Sequence, residues 1–128
     1  MEKVHGELTE AVLEMIAARF RLLSEPMRLK ILHALEQGER SVCEIVEATG
    51  SGQANISKHL GLLLDAGLVR RRKEGLMSLY SIADEMIFEL CQLVCSGLEK
   101  QLSAQREAVQ IFTDKDQKKV IAHEVERT

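Results

Sequence analysis

Tryptophan is absent from these 128 residues, proline occurs once, and aromatic residues make up only 3% of the chain. A core must then be built from Leu, Ile, Val, Met and Ala, which favour helix, and this argues against an all-β sandwich. No apolar run approaches the roughly 18 residues that cross a bilayer, and the opening MEKVHGELTE lacks the apolar stretch of a signal peptide. The expected location is the cytoplasm, with no membrane partner. There is no glycine-rich phosphate loop, no Ser or Cys nucleophile with an identifiable base, and no metal triad, so an enzyme is not expected. Three cysteines cannot all pair within one chain and the cytoplasm keeps thiols reduced, which leaves sensing or ligation as their special roles.

What is present is 45% hydrophobic and 29% charged residues, the balance of one globular domain. The net charge of −3 speaks against a nucleic-acid partner only as an average. Residues 51–75 hold Lys58, Arg70, Arg71, Arg72 and Lys73 against Asp65 and Glu74, a local charge of +3 that leaves −6 elsewhere. A basic island in an acidic chain marks a located binding face.

Leu8, Val12, Leu13, Ile16, Phe20 and Leu23 recur at three- and four-residue spacing and predict an amphipathic helix. Ser24-Glu25-Pro26 punctuates it, and a second helix should start there and run through Ile31, Leu32 and Leu35 to Gly38. Ser41 with Glu44 three residues on predicts a capping box, followed by Val42, Ile45 and Val46 and a stop at Gly50. A fourth helix from about Gln53 to Asp65 has Ile56, Leu60, Leu63 and Leu64 on one side and stops at Gly67. Leu68 to Arg72 and Ser78 to Ile82 then read as a β-hairpin around a Lys73-Glu74-Gly75 turn. From Asp84 the helical period returns through Ile87, Leu90, Cys91, Val94, Leu98 and Leu102, with Val109 and Phe112 beyond. Residues 113–128 are mostly charged, with Val120, Ile121 and Val125 as apolar anchors, and read as a weak helix or a tail.

The expected architecture is therefore mainly α with a small β-hairpin wing, a winged helix-turn-helix over residues 1–112 and a charged segment over 113–128. Its second helix can enter the major groove of duplex DNA while the wing lies on the sugar-phosphate backbone. Gln53, Asn55, Ser57, Lys58 and His59 are expected on the face opposite the apolar stripe, where amides suit adenine and a lysine suits guanine or phosphate. A solvated helix always has a polar face; Arg70, Arg71, Arg72 and Lys73 on the wing turn this one into a DNA-binding expectation.

The runs Leu23-Ser24-Glu25-Pro26-Met27-Arg28-Leu29-Lys30-Ile31-Leu32 and Ile56-Ser57-Lys58-His59-Leu60-Gly61-Leu62-Leu63, then Asp65-Ala66-Gly67-Leu68-Val69 and Leu79-Tyr80-Ser81-Ile82, resemble the arsenical-resistance repressor (ArsR/SmtB) family. The resemblance covers about residues 8 to 102. It implies a homodimeric repressor that binds a pseudo-palindromic operator and leaves it when an inducer, often a metal or metalloid, binds. It also implies dimerisation through the first and last long helices, whose broad apolar stripes exceed what so small a core covers. Gly52 departs from the family's usual capping serine at the start of the recognition helix, a loss of a few tenths of a kcal/mol.

The family's metal sites do not carry over. The Cys-x-Cys of its arsenic and cadmium sensors falls on Ser41 and Cys43, and the zinc site of its dimer helix would need His at Met86 and ligands at Gly97 and Lys100. His5, His33, His59 and His123 show no ligand spacing, so the metal ligands are unknown and no resident cofactor is expected. Cys91 and Cys95 lie one helical turn apart and could take one soft acceptor, such as trivalent arsenic or antimony, or react with an oxidant or persulfide. Both fall inside the apolar stripe, where a free Cys is also an ordinary small hydrophobe. Cys43, in the first turn after the Ser41 cap, is a third candidate, since unpaired N–H groups and the helix dipole activate a thiol there. The competing expectation is a winged-helix regulator without a thiol sensor, controlled by a protein partner or not at all.

Overall fold

Thr9 starts the first helix. Its hydroxyl accepts the Val12 N–H at 3.3 Å, so α1 (Glu10–Leu23) begins beyond the cap and Leu8, expected as its first residue, precedes it. The Glu25 carboxylate caps α2 (Pro26–Ala34), accepting the Met27 N–H at 3.2 Å, and Pro26 occupies the first turn, where its missing N–H costs nothing. This computed structural model describes the backbone of residues 6–127 and the side chains of residues 6–114. The expected anchors Val120, Ile121 and Val125, and His5 and His123, lie outside the described side chains.

The capping box at the head of α3 (Val42–Thr49) forms as the sequence predicts: Ser41 Oγ accepts the Glu44 N–H at 3.2 Å and the Glu44 carboxylate accepts the Ser41 N–H at 3.1 Å. Gly50, in the left-handed conformation, closes α3, and Gly52 opens α4 (Gln53–Asp65) with no side-chain cap. At the far end Gly67 takes φ +76°, which lets the Leu68 N–H turn back to the Leu63 carbonyl at 3.0 Å.

The hairpin is longer and its turn tighter than expected. Strands β2 (Val69–Glu74) and β3 (Met77–Ile82) pair antiparallel out to Glu74 opposite Met77, which leaves a two-residue turn at Gly75-Leu76. Such a turn needs positive φ, and Gly75 supplies it at +62°. Arg40 and Ser41 form a further strand, β1, that pairs with Tyr80 and Leu79, so the sheet has three strands in the order β1-β3-β2. Two residues are too few to show alternation, which is why the third strand leaves no sequence signal.

The residues through Asp84 form one unit. Its core takes Ile31, Leu32 and Leu35 from α2, Ile45 from α3, Ile56, Leu60 and Leu63 from α4, and Leu68, Val69, Leu79 and Tyr80 from the wing. At about 1.5–3 kcal/mol per fully buried aliphatic side chain, this set holds the helix-turn-helix and the wing as one body. Residues 85–128 form a second unit, essentially α5 (Met86–Arg127). Its backbone stays helical across 112 and 113.

Candidate nucleic-acid interface

On α4 the sequence alternates in threes and fours between core and solvent. Ile56, Leu60 and Leu63 are buried, and Gln53, Asn55, Ser57 and Lys58 are exposed on the remaining arc. The Asn55 amide donates to Ser51 Oγ at 2.8 Å, which ties one expected base-reading side chain to the turn before the helix. Leu62 is also exposed, so the outer face is not wholly polar.

His59 does not join this arc. Expected on the outer face, it is instead buried at 6% exposure, with Nδ1 3.2 Å from Arg28 Nη1 on α2. The periodicity explains the difference: His59 sits three residues after Ile56 and next to Leu60, on the flank of the packed side. A guanidinium has no acceptor, so a hydrogen bond here requires Nδ1 to accept, which is the neutral ring with its proton on Nε2. Burial, then the nearby Arg28, hold its pKa below the ordinary histidine value; Glu25 opposes this and Lys58 adds to it.

All four basic wing residues are exposed on β2 and differ in what they touch. Arg72 makes a two-pronged contact with Glu39, Nε to Oε2 at 2.7 Å and Nη2 to Oε1 at 2.6 Å, and also reaches Glu74 at 3.1 Å. The hydrogen bond from Arg72 is the main cause that lowers the Glu39 pKa, and the same bond raises that of Arg72. Arg70 reaches the Ala83 carbonyl at 3.5 Å. The side chains of Arg71 and Lys73 make no hydrogen bond or ion pair among the described residues and extend from one face of the strand, since alternate residues share a face. Arg28 and Glu39 were not foreseen; their partners are 31 and 33 residues away, beyond any local pattern.

A profile of the arsR family of bacterial regulatory proteins matches residues 25–71, which spans α2 to the first strand of the wing. The arsenical resistance operon repressor of Bacillus subtilis is 32% identical over 82 residues, covering 63% of this chain and 78% of that protein. The chain belongs to the ArsR family. A probable mercury resistance operon repressor of Streptomyces lividans is 40% identical over 74 residues, and the match spans 58% of this chain and 59% of that protein's length. A homodimeric winged helix-turn-helix DNA-binding domain from Mycobacterium bovis superimposes with a TM-score of 0.65 at 35% identity, covering 79% of this chain and 94% of its own. ArsR proteins are transcriptional regulators, and the expectation of a regulator rather than an enzyme agrees with that membership.

The three cysteines of this ArsR protein are free. Cys91 is half-buried and Cys95 exposed on α5 in the single chain. Cys43 is exposed in the first turn of α3 and lines a surface cavity of about 310 Å³ with Ser41, Val42, Gln53, Leu76, Met77 and Ser78. Among the described residues no group of three or more His, Cys, Asp or Glu side chains could hold a metal ion, and no helix is long and apolar enough to cross a membrane.

Proposed function

We propose that the protein is a cytoplasmic homodimeric repressor that binds a pseudo-palindromic duplex DNA operator and releases it when a thiophile reaches its cysteines. The observation that carries DNA binding is the exposed arc of Gln53, Asn55, Ser57 and Lys58 in one compact unit with the basic strand Arg70 to Lys73. Gln53 and Asn55 suit base edges, Lys58 a guanine or phosphate, and Arg71 and Lys73 the phosphate backbone. Arg72 and Arg70 contribute field, and Arg72 also holds the wing to the Glu39 turn. Dimerisation is supported by apolar side chains exposed on two helices: Val12, Leu13, Ile16 and Phe20 of α1, and Leu93, Val94, Leu98 and Leu102 of α5. A two-fold pair places recognition helices in successive major grooves, about 10 or 20 base pairs apart.

Induction is assigned to Cys91 and Cys95, with Cys43 as a further thiol. Arsenous acid would form two As–S bonds; each thiol gives up its proton, two As–O bonds break, and two water molecules leave. The bridge draws consecutive turns of α5 toward one atom, which a paired helix seam cannot absorb locally. Selection from a random duplex pool, followed by mobility shifts with and without arsenite, tests the whole reading. A bound, palindromic, arsenite-released sequence is expected, and a monomer that selects nothing refutes it.

A further inference from the structure

A recognition helix can discriminate base edges only if it is held in one pose; beside the packing of Ile56, Leu60 and Leu63, α4 has polar ties to α1 that run through two arginines. The guanidinium of Arg28 donates through Nη1 to His59 Nδ1 in the middle of α4. Through Nε it donates to the Leu22 carbonyl, and through Nη2, at 3.5 Å, to the Arg21 carbonyl, both in the last turn of α1. Arg19, on α1 itself, donates at 3.2 Å to the carbonyl of Ala66, the C-cap of α4. The recognition helix is thus tied to α1 at its middle and at its C-terminal end. Both ties lie inside the unit that ends at Asp84.

His59 suits this role for a reason that size alone does not supply. A leucine would fill the same space, yet it would leave a half-buried guanidinium without its acceptor, and an unmet charged donor is costly. The neutral Nε2–H imidazole offers Nδ1 as an acceptor aimed at a donor that is already fixed by the α1 carbonyls.

We propose that Arg28 and His59 form a strut that sets the pose of the recognition helix from the end of α1, so that His59 is a positioning residue for sequence readout and a shift of α1 is passed to α4. The inference rests on the DNA-binding reading above. It adds a route from one of the two helices assigned to the dimer seam to the helix assigned to the groove.

The test uses the full chain and a duplex that the wild-type protein selects from a random pool, with an unrelated duplex of equal length as control. His59→Leu and Arg28→Met are each expected to weaken binding to the selected duplex by about tenfold or more while changing binding to the control by less than about threefold, because phosphate contacts dominate the latter. His59→Gln, whose carboxamide oxygen can accept from Arg28, should stay within about threefold of wild type on both duplexes. The double variant His59→Leu/Arg28→Met should lose no more than either single change, since both break one link. A leucine variant that reads the selected duplex like wild type, a glutamine variant as weak as the leucine one, or losses that add would each overturn the strut. Nitrogen-15 imidazole spectra of the wild-type protein need no variant to fold: an Nε2–H tautomer of His59 at pH 7 is expected, and an Nδ1–H tautomer or an imidazolium overturns the strut. If the wild-type chain selects no duplex, the DNA-binding reading fails, and the tautomer still decides whether the strut exists.

Discussion

Helices α4 and α5 are both amphipathic, and they resolve their apolar stripes in opposite ways. In α4 the stripe of Ile56, Leu60 and Leu63 is wholly buried within its own unit, and the polar arc with Leu62 is what remains outside. In α5 it is the apolar residues Leu93, Val94, Leu98, Leu102, Val109 and Phe112 that stay exposed. A helix whose apolar face is covered can present chemistry to a ligand; one whose apolar face is open presents a surface for another protein. The same periodicity in sequence therefore supports two proposed roles, and coverage decides between them.

The largest expected effects separate these helices by stability. Leu60→Ala removes a fully buried side chain and should lower unfolding free energy by about 2–5 kcal/mol, read by chemical denaturation at any protein concentration. Leu98→Ala should instead shift stability in a concentration-dependent manner, because the side chain is exposed in the single chain and is covered only in the proposed dimer. A Leu98→Ala loss that is the same at nanomolar and micromolar protein would break the contrast between the helices.

Within the DNA-binding unit a second contrast is expected between reading and positioning. Asn55→Ala should cost about 1–3 kcal/mol at individual bases and relax preference there, as should Gln53→Ala. Arg71→Ala or Lys73→Ala should weaken all duplexes alike and reduce the salt slope by about one for each lost phosphate contact. Arg72→Ala should change the slope less than Arg71→Ala does, since Glu39 and Glu74 already offset its charge. Salt titrations of the three wing variants against one duplex decide the order, and equal slopes would remove the distinction drawn from the ion pairs.

Much of this was legible in the chain itself. The capping box at Ser41 and Glu44, the stop at Gly67 and the polar arc of α4 follow from local chemistry, because each depends on residues within a turn or two of one another. The burial of His59 could be read from its spacing to Ile56 and Leu60, but its contact with Arg28 and the capture of Arg72 by Glu39 could not, because each partner is more than thirty residues away. The hairpin is legible and the position of its turn is not: Lys73 and Glu74 read as turn residues by polarity, yet pairing with Ser78 and Met77 continues because Gly75 takes the positive φ that reverses the chain.

On induction, α5 and α3 make different claims. If Cys91 and Cys95 form the sensor, Cys91→Ser and Cys95→Ser should each retain operator binding and lose release by arsenite, while Cys43→Ser should lose little. A differential affinity of about 3 kcal/mol between free and thiophile-bound protein corresponds to roughly a hundredfold change in operator binding. Release that disappears only with Cys43→Ser would move the sensor to the cavity beside Gln53 and the wing tip.

The smallest expected effect concerns pH, and it separates His59 from the carboxylates. Its pKa is lowered in the folded state by burial and by Arg28, with Lys58 in the same sense and Glu25 opposing, so the unfolded chain binds the proton more readily. The stability it contributes is thus complete above the unfolded value of about 6.5 and is lost as pH falls from there through the folded value. Glu39 and Glu44, also lowered, respectively by the bond from Arg72 and by bonds from the Ser41 backbone and side chain, lose their share only at more acid pH, from the ordinary carboxylate range downward. Melting temperature should fall between pH 7 and 5 in wild type and fall less in His59→Gln, which cannot titrate. Glu44→Gln should leave that interval unchanged and flatten the profile only below about pH 4.5. Wild-type and His59→Gln curves that run parallel from pH 7 to 5 would show that His59 keeps an ordinary proton affinity. The recognition helix would then be held without the neutral acceptor that distinguishes it from α5.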